Sequence, residues 1–242
     1  MPNQTSFAAS QQDYLSDLEA DDTEGWINVN DWDSKPFQYS NGQIVTSGVA
    51  LDTYYGGTAS VTYDIVNMGF NAIKTKVSLD SKWLNGDYGS SSVYIYAGNT
   101  LLYSTALKRT DIKNLTLRLP NKTKTVKLVV KQKKGAKGNQ AVVFGNAVFT
   151  NLPISSKLKT TQVSIVNNKK KDDVITVKSL NKNDTIKVYN TKGQVIASGK
   201  TTSTSNSLKV KQLGTRKGKV SITRLSTSKL ESDKISKDFK AE

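Results

Sequence analysis

The chain has 242 residues, of which 36% are hydrophobic and 23% charged, and its formal net charge is +15 at pH 7. It contains no cysteine and no histidine, which excludes disulfides, thiolate nucleophiles, Cys-ligated zinc and the commonest general base. No paired-acid motif suits a glycosidase, and no apolar run approaches the roughly 18 residues that cross a bilayer. We therefore expect a non-enzymatic chain with no cofactor, no metal ion and no transmembrane segment.

The chain begins with a polar stretch, residues 1–12, that predicts a flexible N-terminus. Residues 1–34 carry eight acidic side chains and no basic one. Five of these acids could supply oxygen ligands to Ca²⁺, but the regular D-x-D-x-D-G spacing is absent. The pattern therefore favours a solvated acidic strip formed by Asp17, Glu19, Asp21, Asp22 and Glu24.

Short segments of alternating apolar residues follow, each bounded by Gly, Asn, Asp or Pro. Eight such segments at a spacing of about 8–12 residues predict an all-β domain, a jelly-roll β-sandwich over residues 13–152. Between two of them, Gly98-Asn99 predicts a hairpin turn. The predicted strands are 45–53, 60–67, 72–80, 91–98, 101–108, 114–120, 125–132 and 141–149.

A change of charge marks a domain boundary near residue 153. Residues 1–152 carry 15 basic and 13 acidic side chains, whereas residues 153–242 carry 20 and 7, a net charge of +13. Residues 153–157 contain Pro153 and a Ser pair and predict a linker. Seven further segments predict an immunoglobulin-like (Ig-like) β-sandwich over residues 158–242: 162–167, 173–180, 184–190, 194–199, 207–213, 219–225 and 234–240.

Residues 13–152 contain an ordered set of motifs that resembles the NPCBM family of bacterial carbohydrate-binding modules. The matching pieces are Tyr14–Leu18, Gly25-Trp26, Ser47–Val49, Tyr63–Ile65, Val77–Asp80 and the hairpin Ser92–Leu102. The resemblance implies a jelly-roll fold and glycan binding. It also shows departures, because Asp52 stands where relatives carry a His, Phe144 where they carry a Trp, and Asn146 where they carry an Asp. These departures imply that the module has either changed its ligand or lost its sugar site.

The second half resembles an Ig-like domain of Bacillus-type surface and secreted proteins. Its matching pieces include 167–174, 180–189 and Gln212-Leu213-Gly214. The resemblance implies a spacer or adhesion unit and a secreted or cell-surface protein. The opening residues lack a charged region followed by an apolar one, so we expect that a signal segment was removed and a Met added.

Candidate ligand residues follow from what a sugar requires, an exposed aromatic ring to stack on and polar side chains around the hydroxyls. Trp26 is predicted to pack in the core because its neighbour Ile27 is apolar. The remaining aromatic candidates lie in polar, Gly-rich stretches, and the polar candidates are the positions aligned with the family motifs. Together they are Trp32, Asp52, Tyr54, Tyr55, Trp83, Tyr88, Asn139, Gln140 and Asn146.

A run of seven lysines between Lys122 and Lys137 alternates in part with Val and Leu. It is interpreted either as a solvated face that protects an edge strand or as a binding face for an anionic polymer. Nucleic acid is disfavoured, because stacking aromatics are not interleaved with the lysines and Arg is scarce.

The leading hypothesis is a glycan-binding module for a galactose-type sugar or a cell-wall polysaccharide. The alternative is a structural or adhesion protein with a decayed sugar site. That protein would bind another protein or an anionic cell-wall polymer through the basic C-terminal domain.

Overall fold

The computed structural model describes residues 12–53, 57–84, 90–134 and 138–242, and the chain divides into two compact units after Asn151. The described residues are nearly all strands and turns, which confirms the all-β prediction. The helical elements among them are three-residue 3₁₀ turns at Leu15–Asp17, Ser81–Trp83 and Thr160–Gln162. No described helix has the length and apolar character that a membrane span requires.

The first unit is built from strands β1 to β13. Five short strands come first, and eight longer ones, β6 to β13, follow. Their bounds are β1 Gln12–Tyr14, β2 Asp22–Glu24, β3 Trp26–Val29, β4 Asp31–Trp32, β5 Lys35–Pro36, β6 Gly48–Thr53, β7 Thr58–Asp64, β8 Ala72–Leu79, β9 Ser91–Ala97, β10 Thr100–Leu107, β11 Ile112–Arg118, β12 Thr125–Gln132 and β13 Gln140–Thr150.

The long strands alternate between two antiparallel sheets in jelly-roll order, except that the hairpin β9–β10 stays within one sheet. The six-stranded sheet has the order β11-β8-β13-β6-β3, with β1 also paired to β13, and the five-stranded sheet has the order β10-β9-β12-β7-β2. Side chains alternate along each strand, so one face of each sheet meets the other sheet. The core between the sheets includes Leu51, Val61, Leu128 and Phe144, all fully buried.

Each of the eight strands predicted in this unit coincides with one of β6 to β13. The predicted hairpin is also confirmed, since β9 and β10 pair antiparallel with Thr100 opposite Ala97. Gly98 takes the positive φ of 53° that this tight turn requires. The predicted flexible N-terminus lies outside the described residues except for Gln12, which begins β1.

The segment 31–45, which we name the strap, crosses the outer face of the six-stranded sheet. Its side chains Trp32, Phe37, Tyr39 and Val45 are buried against Ala50, Ala141 and Val143 of the sheet. Gly145 makes this approach possible, because a Cβ there would overlap the Tyr39 hydroxyl. The central strands β6 and β13 are therefore buried on both faces.

The second unit is a smaller sandwich with its own hydrophobic core, which includes Ile175, Ile186, Val188 and Ile222. A three-stranded sheet has the order β14-β15-β18, and a four-stranded sheet has the order β17-β16-β19-β20. The strands are β14 Val163–Val166, β15 Asp173–Lys178, β16 Thr185–Tyr189, β17 Val195–Lys200, β18 Ser205–Val210, β19 Gly218–Leu225 and β20 Ile235–Phe239. All seven coincide with predicted segments.

The predicted linker 153–157 is not a free connection, because most of it is hydrogen-bonded to the second unit. Ser155 is 3% exposed; its N–H donates to the Leu230 carbonyl at 2.9 Å, and its hydroxyl accepts from the Ser226 N–H at 2.8 Å. The Leu230 N–H donates to the Pro153 carbonyl at 2.8 Å. Polar composition predicted a linker, but backbone pairing absorbs these residues into the sandwich.

We expect a fragment that starts at Leu152 to be more stable than one that starts at Leu158. The shorter fragment loses the bonds of Pro153 and Ser155, at about 1 kcal/mol each. Its free energy of unfolding should fall by roughly 2 to 3 kcal/mol, which lowers the melting temperature of a domain this small by roughly 10 °C or more. Thermal circular dichroism measures the difference. Equal melting temperatures would show that segment 153–157 is a linker after all.

Candidate functional site

Three loops leave the first unit at one end of the sandwich: β6–β7, β8–β9 and β12–β13. A buried polar cluster between the two sheets holds the roots of these loops. The Thr53 hydroxyl donates to Gln132 Oε1 at 3.1 Å and is also 2.9 Å from the Gln140 carbonyl. Ser91 donates to Gln140 Oε1, and Gln132 Nε2 donates to the Gly138 carbonyl at 2.7 Å. The loop ends are therefore fixed to one another.

A row of four residues crosses the outer face of the six-stranded sheet at this same end. Asp80 donates its N–H to the Ala141 carbonyl at 3.0 Å. Ala141 pairs with Asp52, and Asp52 pairs with Trp26. Directly paired residues on antiparallel strands have Cβ atoms about 5 Å apart, so the indole of Trp26 and the carboxyl group of Asp52 are immediate neighbours.

Asp80 is a fully satisfied buried carboxylate at one end of the row, with 1% exposure. Its Oδ2 accepts from Trp32 Nε1 at 3.0 Å and from the Gln38 N–H at 3.1 Å. Its Oδ1 accepts from the Lys82 N–H at 2.8 Å and caps the 3₁₀ turn Ser81–Trp83. Asp80 thereby attaches the strap to the sheet and orients Lys82.

Asp52 is equally buried, at 5% exposure, but its hydrogen bonding is incomplete. Its Oδ1 has no hydrogen-bond partner among the described residues. Burial raises the pKa of Asp52 to about 6, against the opposing attraction of the Lys82 charge. An isolated buried carboxylate is costly, and an acid with a perturbed pKa in such a place is a candidate for a functional site.

Trp26 and Lys82 complete what we name the Asp52 site, defined by Trp26, Asp52 and Lys82 with Trp32 behind them. Trp26 is 64% exposed, and the ammonium of Lys82 lies 5.5 Å from the centroid of the Trp32 ring. The site combines an aromatic face, an acceptor and a cationic donor. Among the described residues, no group of three or more acids is close enough to hold a metal ion.

Comparison with protein families gives a match over residues 11–150 to the NPCBM/NEW2 domain. This match spans more than half of the chain. The chain belongs to the NPCBM/NEW2 domain family. No curated protein matches it.

Solved structures with the same kind of fold come from Clostridium perfringens. The CBM51 module of GH95, in complex with methyl-galactose, is 23% identical, covers 58% of this chain and 100% of its own, and gives a TM-score of 0.49. The CBM51-2 and INT domains of ZmpB, in complex with GlcNAc, are 12% identical, with coverage of 95% and 83% and a TM-score of 0.49. The M60 catalytic domain of ZmpB with CBM51-1 and CBM51-2 is 14% identical, with coverage of 95% and 23% and a TM-score of 0.50.

Two tryptophans of the NPCBM domain exchange their predicted roles. Trp26, predicted to pack in the core, is exposed, and Trp32, predicted as an exposed stacking ring, is 7% exposed and packs edge-on against Phe37 at 5.1 Å. The alternation of a strand explains Trp26, because the burial of Ile27 in the core turns its neighbour to the opposite face. The apolar neighbour was thus evidence for exposure.

The polar candidates divide between the two ends of the NPCBM domain. Asn139 lies partly exposed at the root of the β12–β13 loop, at the end that holds Asp52. Gln140 is 3% exposed and points into the polar cluster between the sheets, so it is not on the face that carries Asp52, and its contact with a ligand stays a prediction. Asn146 is bonded to the Ser47 carbonyl at the start of β6. Ser47 precedes Asp52 by five residues along the strand, so Asn146 lies roughly 17 Å from Asp52 at about 3.3 Å per strand residue.

Other aromatic candidates cannot be placed. Tyr54, Tyr55 and Tyr88 lie outside the described residues, as does the ring of Trp83, whose backbone closes the 3₁₀ turn. Tyr54 and Tyr55 directly follow Thr53 in the sequence, so they stay predictions for the same end.

Replacing Asp52 with Asn should stabilise the NPCBM domain at neutral pH. The pKa of this carboxyl group rises on folding from 3.8 to about 6. Between these two pH values the group is therefore protonated in the folded protein and ionised in the unfolded chain. Wild-type stability is therefore lost as the pH rises from about 4 to 6, by roughly 2 to 3 kcal/mol. Asp52→Asn should recover that amount at pH 7.5 and little at pH 4 in urea denaturation.

Asp80→Asn is the matched control from the same row. It removes a charged acceptor that three donors share, so it should destabilise the domain at pH 7.5. A loss of stability in Asp52→Asn at that pH would mean that the Asp52 carboxylate is satisfied in solution.

Proposed function

We propose that residues 11–150 form a non-catalytic carbohydrate-binding module and that it holds its glycan at the Asp52 site. One observation carries the proposal: an exposed tryptophan stands directly beside a buried carboxylate with an unpaired oxygen, at the end where three loops leave the sandwich. Membership of the NPCBM/NEW2 family supports the same function.

The chemistry of the site suits a pyranose ring. The C–H face of a sugar packs on the indole of Trp26, which offers a large rigid surface. Hydroxyl groups donate to Asp52 Oδ1, and hydrogen bonds to a charged acceptor are stronger than neutral ones. The Lys82 ammonium donates to a hydroxyl or ring oxygen from the other side. The ligand thereby supplies a hydrogen-bond donor to Asp52 Oδ1, which has none among the described residues.

The same geometry argues against hydrolysis. The backbones of Asp52 and Asp80 are separated by two strand spacings, about 10 Å, at the upper limit for paired glycosidase acids. Asp80 is fully occupied by Trp32, Gln38 and Lys82. Only Asp52 of the two retains an oxygen without a partner among the described residues, and a single acid of this kind suits binding rather than paired acid–base catalysis.

The proposed ligand is a galactose-type sugar or a cell-wall polysaccharide, and the protein that carries the module is secreted or attached to the cell surface. Methyl-galactose and GlcNAc are the first ligands to test, because they occupy the Clostridium perfringens modules named above.

We further propose that the second unit is an Ig-like spacer. Its seven strands divide into three and four as in sandwiches of that class, with β14, β15 and β18 in one sheet and β16, β19 and β20 in the other. The fourth strand, β17, joins the second of these sheets. The net charge of +13 on residues 153–242 supports an anionic cell-wall polymer as the partner of this unit.

Calorimetric titration with a glycan of this class tests the Asp52 site. Trp26→Ala and Asp52→Asn should each weaken binding about tenfold or more, because they remove the stacking face or the charged acceptor. Wild-type affinity should also fall as the pH drops below about 6, where Asp52 becomes protonated. Tyr14→Ala, which removes another exposed aromatic ring, is the control and should bind normally.

Unchanged affinity in both Trp26→Ala and Asp52→Asn would place the ligand elsewhere. Salt separates this function from binding of an anionic polymer through lysines, since exposed charges are screened over about 10 Å at 0.1 M salt. Sugar binding by stacking and hydroxyl hydrogen bonds should change little between 20 mM and 300 mM NaCl.

A further inference from the structure

The outer face of the five-stranded sheet, on the opposite side of the sandwich from Asp52, carries a second group of aromatic and basic side chains. The lysine-rich strand β12 lies at the centre of this sheet, between β7 and β9. The interpretation that these lysines protect an edge strand is therefore wrong. Because Leu128 and Val130 face the core, Lys127, Val129 and Lys131 point outward.

Two tyrosines stand beside these lysines on strand β9. Tyr96 pairs with Lys127, and Tyr94 pairs with Val129. The two rings are nearly parallel, with centroids 6.4 Å apart and an interplanar angle of 19°. The Lys131 ammonium lies 5.7 Å from the centroid of the Tyr94 ring. The folded sheet thus interleaves stacking aromatics with lysines, although in the sequence the two groups are about 30 residues apart.

A shallow depression of about 510 Å³ opens between these side chains. Tyr96, Lys127 and Lys131 line it, with Ser60 and Glu24 on the side towards β2. Ser60 is 1% exposed, and its hydroxyl has no hydrogen-bond partner among the described residues. Buried hydroxyls are nearly always paired, so an unpaired one that lines a depression offers a hydrogen-bonding position to a molecule bound there.

We propose that this surface, the tyrosine face, binds an acidic polysaccharide whose sugar rings carry carboxylates. The rings of Tyr94 and Tyr96 supply the stacking surface, and Lys127 and Lys131 supply two cations within one sugar chain's reach. Neither lysine forms an ion pair with another described residue in the structure. Glu24 accepts from sugar hydroxyls and the Ser60 hydroxyl can donate or accept; a uronate chain has hydroxyl groups on every residue.

The acids at the edge of the sheet favour a sugar over a nucleic acid. Glu24 pairs with Ser60 and Asp22 with Thr62 on the neighbouring strand β7, so they stand in the same rows as the tyrosines. Their carboxylates repel the negative charges of both polymers, and nucleic-acid binding depends on neutralising each phosphate. A uronate chain also carries hydroxyl groups on every residue that donate to carboxylates, whereas a DNA backbone has no free hydroxyl. The proposal concerns a surface separate from the Asp52 site and does not depend on it.

Polygalacturonate and its fully methyl-esterified form are the matched probes, because they share a backbone and differ in charge. The full-length chain should bind the free acid form and bind the ester at least tenfold more weakly. Lys127→Gln/Lys131→Gln should lower affinity for the acid form about tenfold or more, with an unchanged melting temperature. Tyr96→Leu should weaken both forms, because it removes the ring and keeps the bulk. Comparing these variants in an Asp52→Asn background removes the Asp52 site from the measurement.

The control for charge is Lys74→Gln/Lys113→Gln, which removes two lysines from the six-stranded sheet. If this control loses as much affinity as Lys127→Gln/Lys131→Gln, the attraction is nonspecific and the proposal fails. Unchanged binding in Lys127→Gln/Lys131→Gln would also overturn it, since the polymer would then bind elsewhere, such as on the basic second unit. Tighter binding of single-stranded oligothymidylate than of polygalacturonate would identify the face as a nucleic-acid site instead.

Discussion

The carboxylate of Asp80 is the interaction on which the architecture of the Asp52 site depends. It joins the strap, through Trp32 and Gln38, to the strand end that leads into the Lys82 turn. A carboxylate buried this deeply is tolerable only when donors surround it, so the three groups are held where their N–H bonds converge. Trp32 then supports the Lys82 side chain, and Lys82 supplies the charge nearest to Asp52.

The contrast between Asp80 and Asp52 separates a structural acid from the acid that we propose binds the ligand. Both lie in one row on the same face of the sheet, and both are at least 95% buried. Only Asp80 has donors for both oxygens, whereas Asp52 retains an unpaired oxygen and a raised pKa. Local conflicts of this kind are expected at sites that serve a ligand. The central strands of the jelly roll are buried on both faces, and this apolar burial offsets the cost of burying the Asp52 carboxylate without a partner.

Sequence reasoning recovered the long strands because β6 to β13 follow an alternation that burial imposes on every second residue. It missed β1 to β5, which are two to four residues long and too short to show a period. The site required more than periodicity. Trp26 and Asp52 are 26 positions apart in sequence, and only the register of β3 on β6 makes them neighbours. The family motif did single out Asp52 as a candidate, because ordered motifs preserve register.

Strand register, which the linear sequence does not show, also explains why the inward position of Gln140 and the tyrosine face were not predicted. Gln140 has the right chemistry for a sugar contact, but its parity with Val142 and Phe144 directs it inward. Tyr94 and Tyr96 seemed unrelated to the lysine run, because β9 and β12 are joined by β10 and β11 before they pair. Pairing between distant strands is decided by the whole topology, and no local pattern specifies it.

The two-sheet construction has a consequence for valency. The Asp52 site and the tyrosine face lie on the outer faces of opposite sheets, so Asp52 and the two tyrosines point in opposite directions. The two surfaces meet at one edge of the sandwich, where only Gly25 separates Glu24 from Trp26. Two separate chains can each occupy one surface, and the module then acts as a crosslink between them. Within a polymer matrix, a protein with such back-to-back surfaces is retained by avidity even where each contact alone is weak.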